Sequence, residues 1–239
     1  MTPNPAAFPL EILCEDGPLL AFNKPAGLPT QGVPTNVPSL EGQVKAFLKQ
    51  KYDKPGNVYL GIPHRLDRPV SGVVIFARNS KAAARLAEQF RLRQVRKVYL
   101  GVVEGQPEPA EARLVDWLLK DDDVAHVRVV PEGTPGAKQA ALTYRVKETG
   151  DGRSLVEIEL ESGRMHQIRV QLASRGWPIV GDRQYGAVTE FPSLEVDSLP
   201  RIALHAAQLD LRHPIRYDSL SLSAPPPLSW REFGFQDRL

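Results

Sequence analysis

The sequence contains little cysteine and no long apolar run. Its 239 residues include one cysteine, Cys14, so an internal disulfide is excluded. No apolar run reaches the roughly 18 residues of a membrane-spanning helix, and the N-terminus lacks the basic and apolar regions of a secretory signal peptide. No His/Cys cluster has zinc-site spacing, and no GxxxxGK[ST] phosphate loop occurs. We therefore expect a cytoplasmic protein that neither enters a membrane nor binds a metal, and we take a monomer as the default, since the sequence does not reveal the oligomeric state.

Charge is distributed unevenly along the chain, although the formal net charge is only +2. Residues 64–99 contain nine basic and two acidic residues, a local charge of +7. Residues 104–123 contain seven acidic and two basic residues. This distribution favours a positive face that attracts phosphate backbones and a separate negative face. Charge alone is equally compatible with a solvated helix face.

Apolar periodicity indicates more strands than helices. The expected strands span residues 18–25, 71–78, 97–105, 140–148, 154–162, 203–211 and 219–225. Helices are expected at 40–52, with Ser39 as N-cap, after Arg78, with Ser80 as the cap, and from Gly163 towards Gly176. Strands and helices do not alternate regularly. We therefore predict an α+β fold whose largely antiparallel mixed sheet has flanking helices and a central cleft.

Two of these helices have apolar stripes that should face the core. In the second helix the stripe consists of Ala83, Leu86, Ala87 and Phe90. In the third it consists of Met165, Ile168 and Leu172. Most arginines of the second helix fall outside its stripe, so they should face solvent.

The segment HRLDRPVSG, residues 64–72, places a carboxylate between two arginines in a loop that runs into a buried strand. An aspartate is usually a solvated turn residue. Here Arg65 and Arg68 would keep the carboxylate of Asp67 ionised and can also contact phosphate. Asp67 is therefore a candidate nucleophile for a polyanionic substrate.

This segment resembles the signature of the RluA-type family of pseudouridine synthases, in which HRLD is followed shortly by SG. Further matching segments follow in the family's order: FNKPAGLPTQ (22–31), KVYLGVVEG (97–105), SGRMHQIRVQLASRGWPIVGDRQYG (162–186) and ALHAAQLDLRHP (203–214). The resemblance implies the pseudouridine synthase fold and a cofactor-free isomerase that acts on uridine in rRNA or tRNA. It also implies one catalytic domain, 1–239, without an additional N-terminal RNA-binding domain.

The resemblance also assigns roles to individual residues. It implies that Asp67 is the catalytic carboxylate, that Tyr99 lies against the target base, and that Arg169 pairs with Asp67. The expected contacts to RNA or substrate are His64, Arg65, Arg68, Arg164 and His166. Arg65 would fill the space left by a flipped nucleotide, and Arg164 and His166 would start an anion-binding helix.

Pro69-Val70 and Gln171 depart from residues common in the family, so the preferred RNA does not follow from any one subfamily. The residues themselves also have simpler explanations, since Tyr99 fits a buried strand and Arg169 fits a surface helix edge.

Three other functions are weighed against this one. A catalytically silent RNA-binding protein on the same fold would be expected to have lost Asp67. A nucleoside or glycoside hydrolase would need a second carboxylate to activate water. Asp182 in GDRQYG is a candidate for that carboxylate, although we interpret it as a structural residue of its turn. A purely structural basic protein would not explain why these motifs occur in the family's order.

Overall fold

The computed structural model of the protein describes residues 8–34, 36–121, 123–192 and 199–235. Thr35, which precedes the helix predicted at 40–52, and Asp122 of the acidic segment 104–123 lie outside this part. The chain forms two compact units. The first contains the residues up to Val95 and Ala206–Pro225, and the second contains Arg96–His205 and the residues from Pro226 on. No helix in the described part has the length and apolar character needed to cross a membrane.

Within the described residues, the two units contain ten strands and three α-helices in chain order. The strands are β1 (Glu11–Asp16), β2 (Leu19–Lys24), β3 (Ser71–Ala77), β4 (Arg96–Glu104), β5 (Glu111–Lys120), β6 (Val127–Val130), β7 (Lys138–Gly150), β8 (Arg153–Leu160), β9 (Leu204–Arg212) and β10 (Ser219–Ser223). The helices are α1 (Leu40–Lys51), α2 (Ser80–Arg91) and α3 (Gln167–Ala173). This composition confirms the α+β prediction.

The first unit is built on β3. Its strand order is β1-β2-β3-β9, and β10 pairs with β9. The pairs β1–β2, β2–β3 and β9–β10 are antiparallel. Every residue of β3 is buried, which agrees with its continuous apolar sequence. Side chains from β2, β3, α2, β9 and β10 form one hydrophobic cluster, so the loop that enters β3 is attached to the core.

Helix α1 begins as predicted and α2 begins one residue differently. The Ser39 side chain accepts a hydrogen bond from the Gly42 N–H at 3.1 Å and caps α1. The cap of α2 is Asn79, whose Oδ1 accepts from the Ala82 N–H at 2.8 Å, so the prediction of Ser80 is wrong. Asn79 keeps the extended backbone that a cap requires, whereas Ser80 is already helical. The buried stripe is rotated accordingly: Ala82 is buried and Ala87 is exposed.

The second unit is an antiparallel array in the order β4-β8-β7-β5-β6. Strands β1, β5 and β6 were not predicted. Strand β5 was missed because it lies in the acidic segment and alternates charged with apolar residues. Its acidic groups are compensated locally by ion pairs of Glu111 with Arg145 and of Asp116 with Arg175. These ion pairs do not support the expected separate negative face.

Candidate active site

Asp67 lies in a turn immediately before β3. The Val70 N–H donates to the Asp67 carbonyl at 3.1 Å and closes this turn. Leu66 and Val70 are buried on either side, whereas Asp67 is half-buried. The backbone around the carboxylate is therefore anchored in the core at two points.

The FNKPAGLPTQ segment braces the HRLD loop through paired hydrogen bonds. The Gly27 N–H donates to the Arg68 carbonyl at 2.8 Å, and the Arg68 Nε–H donates to the Gly27 carbonyl at 2.9 Å. The Thr30 hydroxyl donates to the Leu66 carbonyl at 2.9 Å and accepts from the Leu66 N–H at 3.2 Å. Four hydrogen bonds thus join two motifs that are distant in sequence into one rigid scaffold.

Lys24 is the central group of this brace, and it was missed from the sequence. Its fully buried ammonium donates to the carbonyls of Pro25 at 2.9 Å, Leu28 at 2.7 Å and Arg68 at 3.3 Å. Burial lowers the pKa of Lys24 to about 7, with a smaller lowering from the Arg68 charge, while the charge of Asp67 acts to raise it. The available signal was a lysine at the end of an otherwise apolar strand, inside a matched motif.

The glycine of the HRLD signature has a steric explanation. Gly72 has φ +117, a conformation that side chains of L-residues rarely adopt. A Cβ built there would lie 2.7 Å from the Ala206 carbonyl carbon and nearer still to its oxygen. Strand β3 therefore passes β9 at a distance that only glycine permits.

The basic residues of the HRLD loop occupy different environments. The His64 Nε2 accepts from the Ile75 N–H at 3.0 Å, and its ring stacks on Phe90 with centroids 4.6 Å apart. These contacts give His64 a structural role, and its contact with RNA stays a prediction. Arg65 and Arg68 are exposed, as phosphate contacts would have to be.

Tyr99 lies in β4 as predicted, opposite Ile158 of β8, and it is half-buried. Its position against a base is untested and stays a prediction.

Arg169 is buried in the second unit and bound by a carboxylate there. Its Nε and Nη2 donate to the two carboxylate oxygens of Asp182 at 2.6 and 2.8 Å, and Nη2 also donates to Gln184 at 2.8 Å. Both members of the ion pair are less than 5% exposed, so Arg169 is not a surface residue of a helix edge. The bidentate pair also makes Asp182 a structural anchor rather than a base that activates water. Pairing of Arg169 with Asp67 stays a prediction.

The residues before α3 differ from expectation. The helix begins at Gln167, and His166 occupies the N-cap with a left-handed φ of 52°. Arg164 therefore precedes the helix rather than starting it, and its Nε–H donates to the Gln139 carbonyl at 3.2 Å. The buried Gln167 holds this turn, because its Oε1 accepts from the Ser162 hydroxyl at 2.8 Å and the Arg164 N–H at 3.0 Å. Sequence reasoning assigned no role to Gln167, although it lies inside a matched motif.

Tyr185 contacts two of the predicted site residues. The His166 Nδ1 lies 2.8 Å from the Tyr185 hydroxyl, and the Arg169 guanidinium carbon lies 4.9 Å from the ring centroid. The motifs SGRMHQIR and GDRQYG are therefore coupled through one aromatic side chain.

No group of three or more His, Cys, Asp or Glu side chains that could hold a metal ion occurs within the described ranges.

Residues 18–174 match the family of RNA pseudouridylate synthases. Over 233 residues the chain is 35% identical to "Ribosomal large subunit pseudouridine synthase D" of Xylella fastidiosa, covering 93% of this chain and 68% of the relative. Over 212 residues it is 39% identical to a Chloroflexus aurantiacus protein named "Uncharacterized RNA pseudouridine synthase", covering 86% and 62%. The chain thus spans about two thirds of the length of these relatives.

The fold also matches a solved structure. "Human RNA Pseudouridylate Synthase Domain Containing 4" superposes with a TM-score of 0.76 at 24% identity, over 94% of this chain and 93% of that one. At this identity the likeness supports the architecture of strands and helices and says nothing of the reaction.

Proposed function

The chain belongs to the RNA pseudouridylate synthase family, of the RluA type, and from this premise we propose that it converts uridine in a structured RNA to pseudouridine with Asp67 as its catalytic carboxylate. The observation that carries the proposal is the match of residues 18–174, because this span contains Asp67 together with the residues that brace its loop.

The reaction moves uracil from an N1 link to a C5 link on the same ribose. The N1–C1′ bond breaks and its electron pair leaves with uracil. The carboxylate of Asp67 meets the electron-poor sugar, either by bonding to C1′ or by taking a proton from C2′ to form a glycal. Uracil turns over, C5 bonds to C1′ as the carboxylate leaves or returns its proton, C5 loses a proton and N1 gains one. Atoms and electrons balance without an oxidant, so we expect no cofactor.

The other site residues have proposed roles in this scheme. Tyr99 lies against the base and accepts the C5 proton. Arg169 keeps Asp67 ionised. Flipping the nucleotide out of the base stack costs a few kcal/mol of unstacking energy. Arg65 fills the space that the flipped nucleotide leaves between the neighbouring bases. His64, Arg68, Arg164 and His166 contact RNA, and the exposure of Arg68 agrees with that role.

The RNA, the location and the organisation are also proposals. The Xylella relative is named for the large ribosomal subunit, so a large-subunit rRNA transcript is the first substrate to test and a tRNA transcript the second. We propose that residues 1–239 work as one catalytic domain, in the cytoplasm and as a monomer. The absence of a membrane-spanning helix in the described part is compatible with this location.

Release of tritium from uracil C5 tests the proposed reaction. Wild-type protein incubated with unmodified transcripts carrying [5-³H]uridine should release tritium to water, and Asp67→Asn should release none above background, because the amide is neither a nucleophile nor a base. Asp53→Asn is the matched control, since Asp53 is exposed in the same unit and its φ of 45° suits Asn equally. Full release by Asp67→Asn would exclude the mechanism. RNA binding without release by the wild type would favour the silent RNA-binding alternative.

A further inference from the structure

Helix α2 ends at an arginine in the left-handed conformation. The Gln94 N–H donates to the Gln89 carbonyl at 2.9 Å, and the Arg93 N–H donates to the Phe90 carbonyl at 3.1 Å, which is the Schellman pattern of helix ends. Arg93 accordingly has φ 57°, a conformation in which glycine is the usual residue. Its side chain is exposed, so the end of α2 presents a guanidinium to solvent.

Gln89 connects this turn to the end of β9. Its side-chain nitrogen donates to the Arg212 carbonyl at 2.9 Å, and its side-chain oxygen accepts from the Arg212 N–H at 2.8 Å. The Arg212 side chain is exposed as well. Neither the guanidinium of Arg93 nor that of Arg212 forms a hydrogen bond or an ion pair with another residue in the described part of the chain. One glutamine thus anchors the main chain at two exposed cations.

Phe90 connects the same turn to the loop that carries Asp67. Its ring stacks on the ring of His64, the first residue of the HRLD segment, with centroids 4.6 Å apart. Arg93 and Arg212 are therefore attached to the signature loop within the first unit. We propose that these two arginines bind phosphate groups of the RNA outside the target nucleotide. The proposal rests on the proposed function, because it takes RNA as the molecule that is bound.

Phosphate is the ligand that suits this surface. Guanidinium groups bind phosphate oxygens through charge-assisted hydrogen bonds, and they keep their charge at any physiological pH. Arg91 is also exposed, but it pairs with Glu88 at 2.9 Å, so the surplus positive charge at the end of α2 comes from Arg93 and Arg212. An RNA backbone carries one negative charge per nucleotide, so two anchored cations can each neutralise one phosphate.

Helix α1 ends in the same way and provides an internal comparison. The Lys54 N–H donates to the Lys49 carbonyl at 3.1 Å, and Asp53 occupies the left-handed position with φ 45°. The backbone conformation alone therefore indicates no function, since an acidic residue occupies it there. The end of α2 differs in the charge of its left-handed residue and in its connections to Arg212 and His64.

The salt dependence of RNA binding tests the proposal without any turnover. The affinity of the protein for a large-subunit rRNA transcript is measured by filter binding at several salt concentrations. Arg93→Gln and Arg212→Gln should each reduce the slope of log affinity against log salt by about 0.7–0.9, because each removes one phosphate contact. The double variant should reduce it by about 1.4–1.8. Lys54→Gln is the matched control, since it removes an exposed cation just after α1, and it should leave the slope unchanged.

Arg93→Gly separates the role of the side chain from that of the backbone. Glycine adopts the left-handed conformation without strain, so the variant should stay folded with a urea midpoint close to that of the wild type. Its salt dependence should nevertheless be reduced as in Arg93→Gln. Asp53→Gly, the same exchange at the end of α1, should keep the wild-type slope. In tritium release the loss should raise KM and leave kcat unaltered, since the contact is equally strong in the ground and transition states.

An unchanged salt slope in either arginine variant would overturn the proposal. An equal reduction in Lys54→Gln would also overturn it, because the RNA would then respond to the overall charge and not to this cluster. The same holds for a wild type that binds no RNA. If RNA binding responds as expected but neither the wild type nor any variant releases tritium, the proposed function fails while the phosphate contacts stand.

Discussion

The two regions that hold the candidate residues are stabilised in opposite ways. Around Asp67 the structure fixes the main chain: carbonyl and N–H groups of residues 24–30 and 66–68 bond to one another and to a buried lysine. Around Arg169 the structure fixes side chains. The guanidinium forms an ion pair with Asp182, donates to the amide oxygen of Gln184 and lies over the ring of Tyr185. The first arrangement depends on neutral acceptors around one cation, and the second depends on a matched pair of charges. They should respond differently to mutation and to pH.

The largest effect should come from breaking the charge pair. Asp182→Asn leaves the Arg169 guanidinium buried without its carboxylate, and we expect the free energy of unfolding to fall by about 3–5 kcal/mol. Urea denaturation measures it. Glu111→Gln removes an exposed partner of Arg145 in the same unit and should leave the free energy of unfolding nearly unchanged, because water screens this pair. Equal losses in the free energy of unfolding of the two variants would show that the buried ion pair stabilises the protein no more than the exposed one.

A smaller effect should follow from cutting the main-chain brace. Thr30→Val keeps the shape of the side chain but removes both hydrogen bonds to Leu66, so the free energy of unfolding should fall by about 2 kcal/mol. Thr134→Val removes an exposed hydroxyl bond to the Pro131 carbonyl and should cost well under about 1 kcal/mol. If the Thr30 variant were as stable as the wild type, the two motifs would not form the rigid scaffold described for them.

The third effect concerns pH, and over any single pH unit it should be smaller than the two losses above. Unfolded Lys24 keeps its proton up to about pH 10.5, whereas the folded protein releases it at about 7, with Asp67 and Arg68 as the facing charges. Between these values the unfolded chain binds more protons, so the free energy of unfolding should rise with pH, by at most about 1.4 kcal/mol per unit. Below about pH 7 this contribution should be constant.

Lys24→Met should lack this part of the slope in denaturation curves recorded from pH 7 to 9.5. The exposed Lys54→Met should keep it. The same slope in wild type and Lys24→Met would mean that the buried ammonium keeps its proton throughout this range.

Local sequence signals predicted much of the fold. Strands β3, β4, β7 and β8 follow from apolar runs, and α1 follows from a serine cap with apolar residues at helical spacing. Strand β5 was missed because its charged residues suggested a surface segment, whereas Glu111 and Asp116 pair with Arg145 of β7 and with Arg175 just after α3, which only the folded chain brings near. The resemblance named Asp67, Tyr99 and Arg169, but it could not give Asp182 as a partner of Arg169. That pair depends on how the turn after α3 folds back.

Lys24 and Tyr185 were missed for a related reason. A lysine or a tyrosine in a sequence does not reveal whether three carbonyls or a neighbouring imidazole will surround it. Only the folded chain defines those neighbours.

The tight passage at Gly72 has a practical meaning for altering which RNA the protein accepts. A mutant library of the signature loop should keep glycine at position 72, since even a methyl group there would collide with the Ala206 backbone. Diversity belongs instead at the exposed position 65, seven residues upstream, where a new side chain meets solvent rather than a neighbouring strand.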